Sequence, residues 1–283
     1  MVAAGLALAL ALSAAPRWTA LDPAERDARV EKLSREPLAR RLVDVSAGFL
    51  GTPYVLSPLG EGTGFDPDPT LRYDAVDCLT FVEETIALAL ARDEAEVPAL
   101  LEQVRYRDAP TYAGRNHLME AEWLPFNEAK GFIRDVTRRY GQKDVVRTQK
   151  IISPAAWKVP SAVALELPAD RQVTGRFPLW MIPLDKLEAR AATIPSGTIL
   201  LVVREDRSWK VTRVTHLGFV VRHGGVPYLR HANKQPSYRV VDEPLTHFIA
   251  RNTRYDKWKV EGVTLFEVLP RPEPLVQSAR GAP

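Results

Sequence analysis

The chain of 283 residues is 46% hydrophobic and 26% charged, the make-up of an ordinary globular protein with enough length for a sizeable core. Its formal net charge of +3 is spread along the sequence without a dense Lys/Arg block, which argues against a nucleic-acid partner and allows only mild attraction to an anionic polymer. A lone cysteine, Cys78, excludes an internal disulfide.

Residues 3–15 form an apolar run that is too short to span a bilayer and ends in small residues, with Ser13 and Ala15 at the spacing of a cleavage site, although no Lys or Arg precedes it. An export signal over residues 1–20 is expected, then one domain over 21–270 and a disordered tail over 271–283, with the mature protein periplasmic or extracellular. No cysteine near residue 20 offers a lipid anchor, and no later run reaches the roughly 20 apolar residues of a membrane helix.

Asp22-Pro23-Ala24-Glu25 opens a helix with a capping residue, a first-turn proline and an early acid, and Leu38, Leu42, Val45 and Phe49 continue at helical spacing as far as Gly51. Residues 52–77 are rich in Pro, Gly and Asp and predict a long loop. Its Gly60, Gly62 and Gly64 lack the Lys-Ser/Thr of a phosphate loop, so nucleotide binding is excluded. Helices are predicted over 78–92 and 97–106, and another that Gly131 ends, while 133–152 fits helix and strand equally. After Pro183 a short helix leads into strands at 198–203, 214–222, 227–233, 238–241 and 263–269. Helices first and an antiparallel sheet second is an α+β layout.

Free cysteines mostly behave as small buried apolar side chains. Cys78 follows Asp77, a good N-cap, and stands in the first helical turn, where unpaired N–H groups and the helix dipole favour a thiolate. Amide hydrolysis by such a thiolate needs an imidazole that takes the thiol proton and returns it to the leaving amine, and His216 is the candidate. A hairpin turn at His223-Gly224-Gly225 folds the following strand back so that His216 lies roughly opposite His231 or Asn233, either of which could orient it. His223 reads as a turn residue and His247 as solvated. Arg115 and His117, near Trp123, could grip a carboxylate and a sugar face, or be a surface pair at a helix start. There is no His-Glu-x-x-His and no Gly-x-Ser-x-Gly, so neither a metal nor a serine nucleophile is expected, and no cofactor.

Gly51-Thr52-Pro53-Tyr54, the run from Asp77 to Glu83, Met181-Ile182-Pro183, Thr215-His216-Leu217-Gly218 and Leu229-Arg230-His231-Ala232 together resemble bacterial N-acetylmuramoyl-L-alanine amidase-like proteins, within the NlpC-type papain-like cysteine hydrolases. The resemblance spans about residues 38–269. It implies a papain-like fold in which N-terminal helices carry the cysteine and a C-terminal sheet carries the histidines. Cys78 would be the nucleophile, His216 the base and His231 the third member of the triad. Tyr54 would line the site, Asp77 would meet a substrate amine or cap the helix, and Arg115, His117 and Asn233 would face substrate. Leu118 stands where relatives carry an aromatic, and Asn233-Lys234 where they carry a serine pair, departures that fall on the substrate wall. The implied partner is peptidoglycan or a muropeptide, cut between N-acetylmuramic acid and L-Ala. The alternatives are cleavage of the γ-D-Glu-diaminopimelate bond and a wall-binding module without activity.

Overall fold

The computed structural model describes residues 16–271, so most of the expected export signal and nearly all of the expected tail lie outside the described residues. Asp22 caps α1 (Pro23–Ser34) through a reciprocal pair of bonds with Glu25. Pro37 cannot continue a helix, so the apolar spacing of Leu38, Leu42 and Val45 belongs to a separate helix, α2 (Leu38–Ala47). α3 (Cys78–Leu90) is buried along nearly its whole length and packs beside α4 (Val97–Arg105). α5 (Leu124–Ala129) is closed at Gly131, whose φ of 76° suits a residue without Cβ.

The stretch that fitted both patterns contains both, as β1 (Ile133–Asp135), α6 (Thr137–Gly141) and β2 (Val146–Ile152). After α7 (Pro160–Val163) comes β3 (Gly175–Pro183), a strand the sequence pattern missed because Pro178 interrupts it; β3 lies next to the edge strand β2. α8 (Leu184–Ala191), β4 (Ile199–Arg204), β5 (Val214–His223), β6 (Val226–Asn233), β7 (Arg239–Pro244), α9 (Leu245–Arg254) and β8 (Val260–Val268) complete the chain. The strands form one antiparallel sheet in the order β2-β3-β8-β4-β5-β6-β7, with β1 also on β8. This is an α+β molecule, although helices and strands interleave more than a helices-first layout implies.

Strand alternation sorts the core into two layers. Ile199, Leu201, Val203, Leu217, Phe219 and Val221 face the α1–α4 side, where Phe81 meets Phe219 edge-on at 5.9 Å. Leu200, Val202, Val220 and Leu229 face Leu184, Leu187, Leu245 and Phe248 of α8 and α9. With both faces covered, the central strands are continuous hydrophobic runs. The β5–β6 turn is Gly224-Gly225, with φ of 56° and 84° and with His223 paired to Val226, so two glycines supply the left-handed conformations of a tight hairpin.

Candidate active site

A cavity of about 560 Å³ opens where the start of α3, the end of β4, the start of β5, the end of β6 and the end of α9 converge, and Tyr54, Cys78, Arg204, His216, Asn233, Lys234, Arg251 and Tyr255 are among its walls. Cys78 reaches it as the first residue of α3. Asp77 sets that helix start, because its Oδ1 accepts from the Leu79 and Thr80 N–H groups at 3.0 and 2.8 Å while the Thr80 hydroxyl accepts from the Asp77 N–H at 2.9 Å. Its Oδ2 accepts from the Ser57 N–H at 3.1 Å. Both oxygens of Asp77 are thereby engaged within the protein, which assigns it to capping. Below the thiol, Glu83 holds Trp123 Nε1 at 2.9 Å and faces Arg105 at 3.6 Å, locking α3 in rotation. Burial, partly offset by Arg105, raises the Glu83 carboxyl to about 7.

His216 pairs with Val202 of β4 near the start of β5. That start is pinned by Glu120, whose carboxylate accepts from the Arg213 and Val214 N–H groups at 2.7 and 2.9 Å. His216 Nε2 lies 2.6 Å from His231 Nδ1. His231 is fully buried, and its Nε2 sits 3.3 Å from Glu243 Oε2, a charge contact without good hydrogen-bond alignment. Arg251 grips Glu243 through two bonds of 2.7 and 2.8 Å.

The Glu243 charge at the end of this row favours one pair of tautomers. A proton on His231 Nε2 faces the Glu243 carboxylate, so neutral His231 accepts through Nδ1, and His216 donates from Nε2. His216 Nδ1 is then the unprotonated nitrogen, that of a base. Burial tends to raise the Glu243 carboxyl, but its contacts with His231 and Arg251 outweigh it and hold it down at about 2. Burial lowers both imidazoles, His216 well below the ordinary histidine value.

Cys78 departs from the expectation of a lowered thiol. Burial and then the Asp77 charge raise it to about 12, against the opposing pull of the Leu217, Cys78 and Leu79 N–H groups. The helix-start donors that favour a thiolate are real, but desolvation exceeds them. A thiol pushed up and imidazoles pushed down both favour an uncharged resting pair. Tyr54 is carried in by the 52–77 loop, which is stitched to the β7 edge by Gly51 N–H to Val240 O, Val240 N–H to Thr52 O and Tyr54 N–H to Tyr238 O, each 2.9 Å. Burial, with the neighbouring Cys78 and Asp77, keeps its hydroxyl protonated.

A family model described as AmiA-like, N-acetylmuramoyl-L-alanine amidase-like, matches residues 44–255. The chain belongs to this family. No curated protein matches the sequence. The fold is similar to that of protein LPG0564 from Legionella pneumophila, with a TM-score of 0.76 at 22% identity over 88% of this chain and 94% of that one. It is also similar to a Bacteroides uniformis N-acetylmuramoyl-L-alanine amidase, with a TM-score of 0.64 at 22% identity over 82% and 99% of the two chains. At these identities the likeness is one of fold alone.

Of the residues singled out from sequence, Cys78, His216, Tyr54 and Asn233 share one cavity, with His231 directly behind His216. Arg115 and His117 do not line that cavity. Arg115 is held by Glu61 at 2.5 Å and Asp66 at 3.0 Å, tying down the 52–77 loop. His117 Nε2 donates to the Tyr112 carbonyl at 2.7 Å, and its backbone N–H donates to Glu122. These contacts commit both side chains to holding the protein's own loops. Glu120, Arg204, Glu243 and Arg251 went unnoticed in the sequence. Glu243 lies two residues past Val241, the partner of His231 in β7, so extending the predicted strand to Pro244 would have placed a carboxylate on the histidine's face. Among the described residues no His/Cys/Asp/Glu cluster suits a metal ion.

Proposed function

We propose that this protein is an exported, papain-like, NlpC-type cysteine amidase that cleaves the bond between the lactyl group of N-acetylmuramic acid and L-Ala in peptidoglycan or muropeptides. The observation that carries this reading is that Cys78 and His216 line one cavity with His231 behind His216, the 2.6 Å His216–His231 contact leaving His216 Nδ1 free for the thiol. The family match supplies the amidase class.

As substrate enters and water leaves, the Cys78 proton passes to His216 Nδ1 and Sγ bonds to the lactyl carbonyl carbon. Negative charge on the carbonyl oxygen is met by the Cys78 N–H, which has no protein partner among the described residues because Asp77 takes the N–H groups of Leu79, Thr80 and Phe81. The Tyr54 hydroxyl is the second donor. His216 returns its proton to the L-Ala nitrogen as the C–N bond breaks, leaving a thioester on Cys78. Water attacks the thioester with its proton going to His216, and collapse frees the lactyl carboxylate and restores the thiol. Glu243 stabilises the positive charge that moves onto the imidazole pair during each transfer.

An endopeptidase that recognised its stem by a free L-Ala amine would call for an uncommitted carboxylate. Asp77 is fully engaged, and the cavity walls carry cations and no Asp or Glu, which favours the amidase. Mass spectrometry of digested muropeptides separates the two. Free stem peptides starting at L-Ala, released by wild type and not by Cys78→Ala, are expected. L-Ala-D-Glu retained on the sugar would overturn the choice of bond.

A further inference from the structure

The cavity walls carry Arg204, Lys234 and Arg251, and Arg204 is a cation that the hydrolytic machinery does not use. Arg204 sits at the end of β4, two residues past Val202, the partner of His216, and therefore on the same face of the strand. Its position is fixed from three sides. Nε donates to Thr215 Oγ1 at 2.8 Å, Nη1 donates to the Trp258 carbonyl, and the guanidinium lies against the rings of Tyr255 and Trp258 at 5.2 and 5.4 Å. Trp258 is itself held by Nε1 donating to the Glu205 carbonyl at 2.9 Å.

Arg204 has no carboxylate partner among the described residues, unlike Arg251, which grips Glu243, and Arg207, which pairs with Glu205. Burial lowers its basicity, Tyr255 opposes this in part, and Arg251 and Arg207 lower it further. An immobilised guanidinium with its Nη2 group unpaired, in a cavity also lined by Lys234 and Arg251 and by no acid, is preorganised for a planar anion.

We infer that Arg204 binds a carboxylate of the peptide stem, the α-carboxylate of the D-Glu that follows L-Ala. This rests on the amidase reading. In a stem that continues through the γ-carboxyl, that α-carboxylate is the first ionised group beyond the cleaved bond. The polar oxygens of L-Ala and of the sugar carry no charge to match a guanidinium. Arg204 thus acts on the leaving peptide: it binds the stem and takes no part in proton transfer.

The test compares two synthetic muropeptides that differ only in a carboxylate or a carboxamide at that D-Glu position. Wild type should cleave the carboxylate form with a kcat/KM roughly tenfold to a hundredfold higher. Arg204→Gln should lose that preference by slowing the carboxylate substrate alone, and Arg204→Lys, which keeps the charge, should retain part of it. Equal rates for the two substrates in wild type, or an equal loss on both in Arg204→Gln, would overturn the inference. The wild-type comparison stands even where Arg204→Gln is too unstable to assay. Cleavage of neither substrate would refute the amidase reading. Calorimetry of L-Ala-γ-D-Glu and its carboxamide with Cys78→Ala would still decide the role of Arg204, because equal affinities would overturn it.

Discussion

Replacing Glu243 by Gln removes a charge two residues away from the chemistry along the row of contacts while keeping the side chain's shape. The fall of its carboxyl from 4.5 to about 2 corresponds to about 3 kcal/mol, shared between His231 and Arg251. Arg251 is 42% exposed, so its share is screened by water, and roughly 1–2 kcal/mol remains for the contact with the imidazole pair. Steady-state assays of Glu243→Gln should therefore show kcat down about tenfold, with KM little changed. The Glu243 charge raises both imidazoles, so its loss lowers them, and the acid limb of the pH–rate profile should move to lower pH. Glu243 also contributes stability that is fully present above pH 4.5 and is lost as pH falls toward about 2. The variant should therefore lose less stability than wild type across that window in acid denaturation. A folded Glu243→Gln with wild-type kcat and an unmoved acid limb would refute this role of Glu243.

At Gly218 a Cβ would lie 2.4 Å from the Arg230 carbonyl oxygen and 2.8 Å from His231 Cβ, so Gly218→Ala should push β5 from β6, costing about 1–3 kcal/mol in chemical denaturation and lowering kcat by displacing His231. Arg115→Ala strands the buried carboxylate of Glu61, so its melting temperature should fall, with about 3–5 kcal/mol lost, while kcat of the folded enzyme is unchanged; a raised KM with intact stability would return Arg115 to the substrate site. Asp77→Asn keeps the acceptor for Leu79 and Thr80 but removes the charge that raises the thiol. Iodoacetamide alkylation of Cys78 should then set in at lower pH, with about 1 kcal/mol of stability lost where Ser57 meets an amide. His216→Ala should abolish turnover and His231→Ala should leave a residue of it, because orienting a base matters less than being one; the reverse order would exchange the two roles.

Where a site residue is announced by local chemistry, it was legible in the sequence. Asp77 before an apolar run marks the start of α3 and puts Cys78 in its first turn, and the two glycines after His223 set a hairpin that brings His216 to His231. The strands β4, β5, β6 and β8 stand out because fully covered strands are apolar on both faces. β2 and β3 do not, since β2 is an edge strand with half-exposed residues and Pro178 interrupts β3. Arg115 and His117 misled because an Arg-His pair looks the same in sequence whether it waits for a ligand or is held by Glu61, Asp66 and the Tyr112 carbonyl. The raised thiol was illegible for a related reason: the helix-start donors are local and visible, whereas α3 packs against β5, far away in sequence.

The most direct test of the central claim is to trap the acyl-enzyme step with hydroxylamine during turnover of a muropeptide and to identify the hydroxamate by mass spectrometry. A thioester on Cys78 at the lactyl carbonyl predicts a hydroxamate on the muramyl lactyl group, formed by wild type and absent with Cys78→Ala. A hydroxamate on the γ-carboxyl of D-Glu, or a lactyl product formed without Cys78, would contradict it.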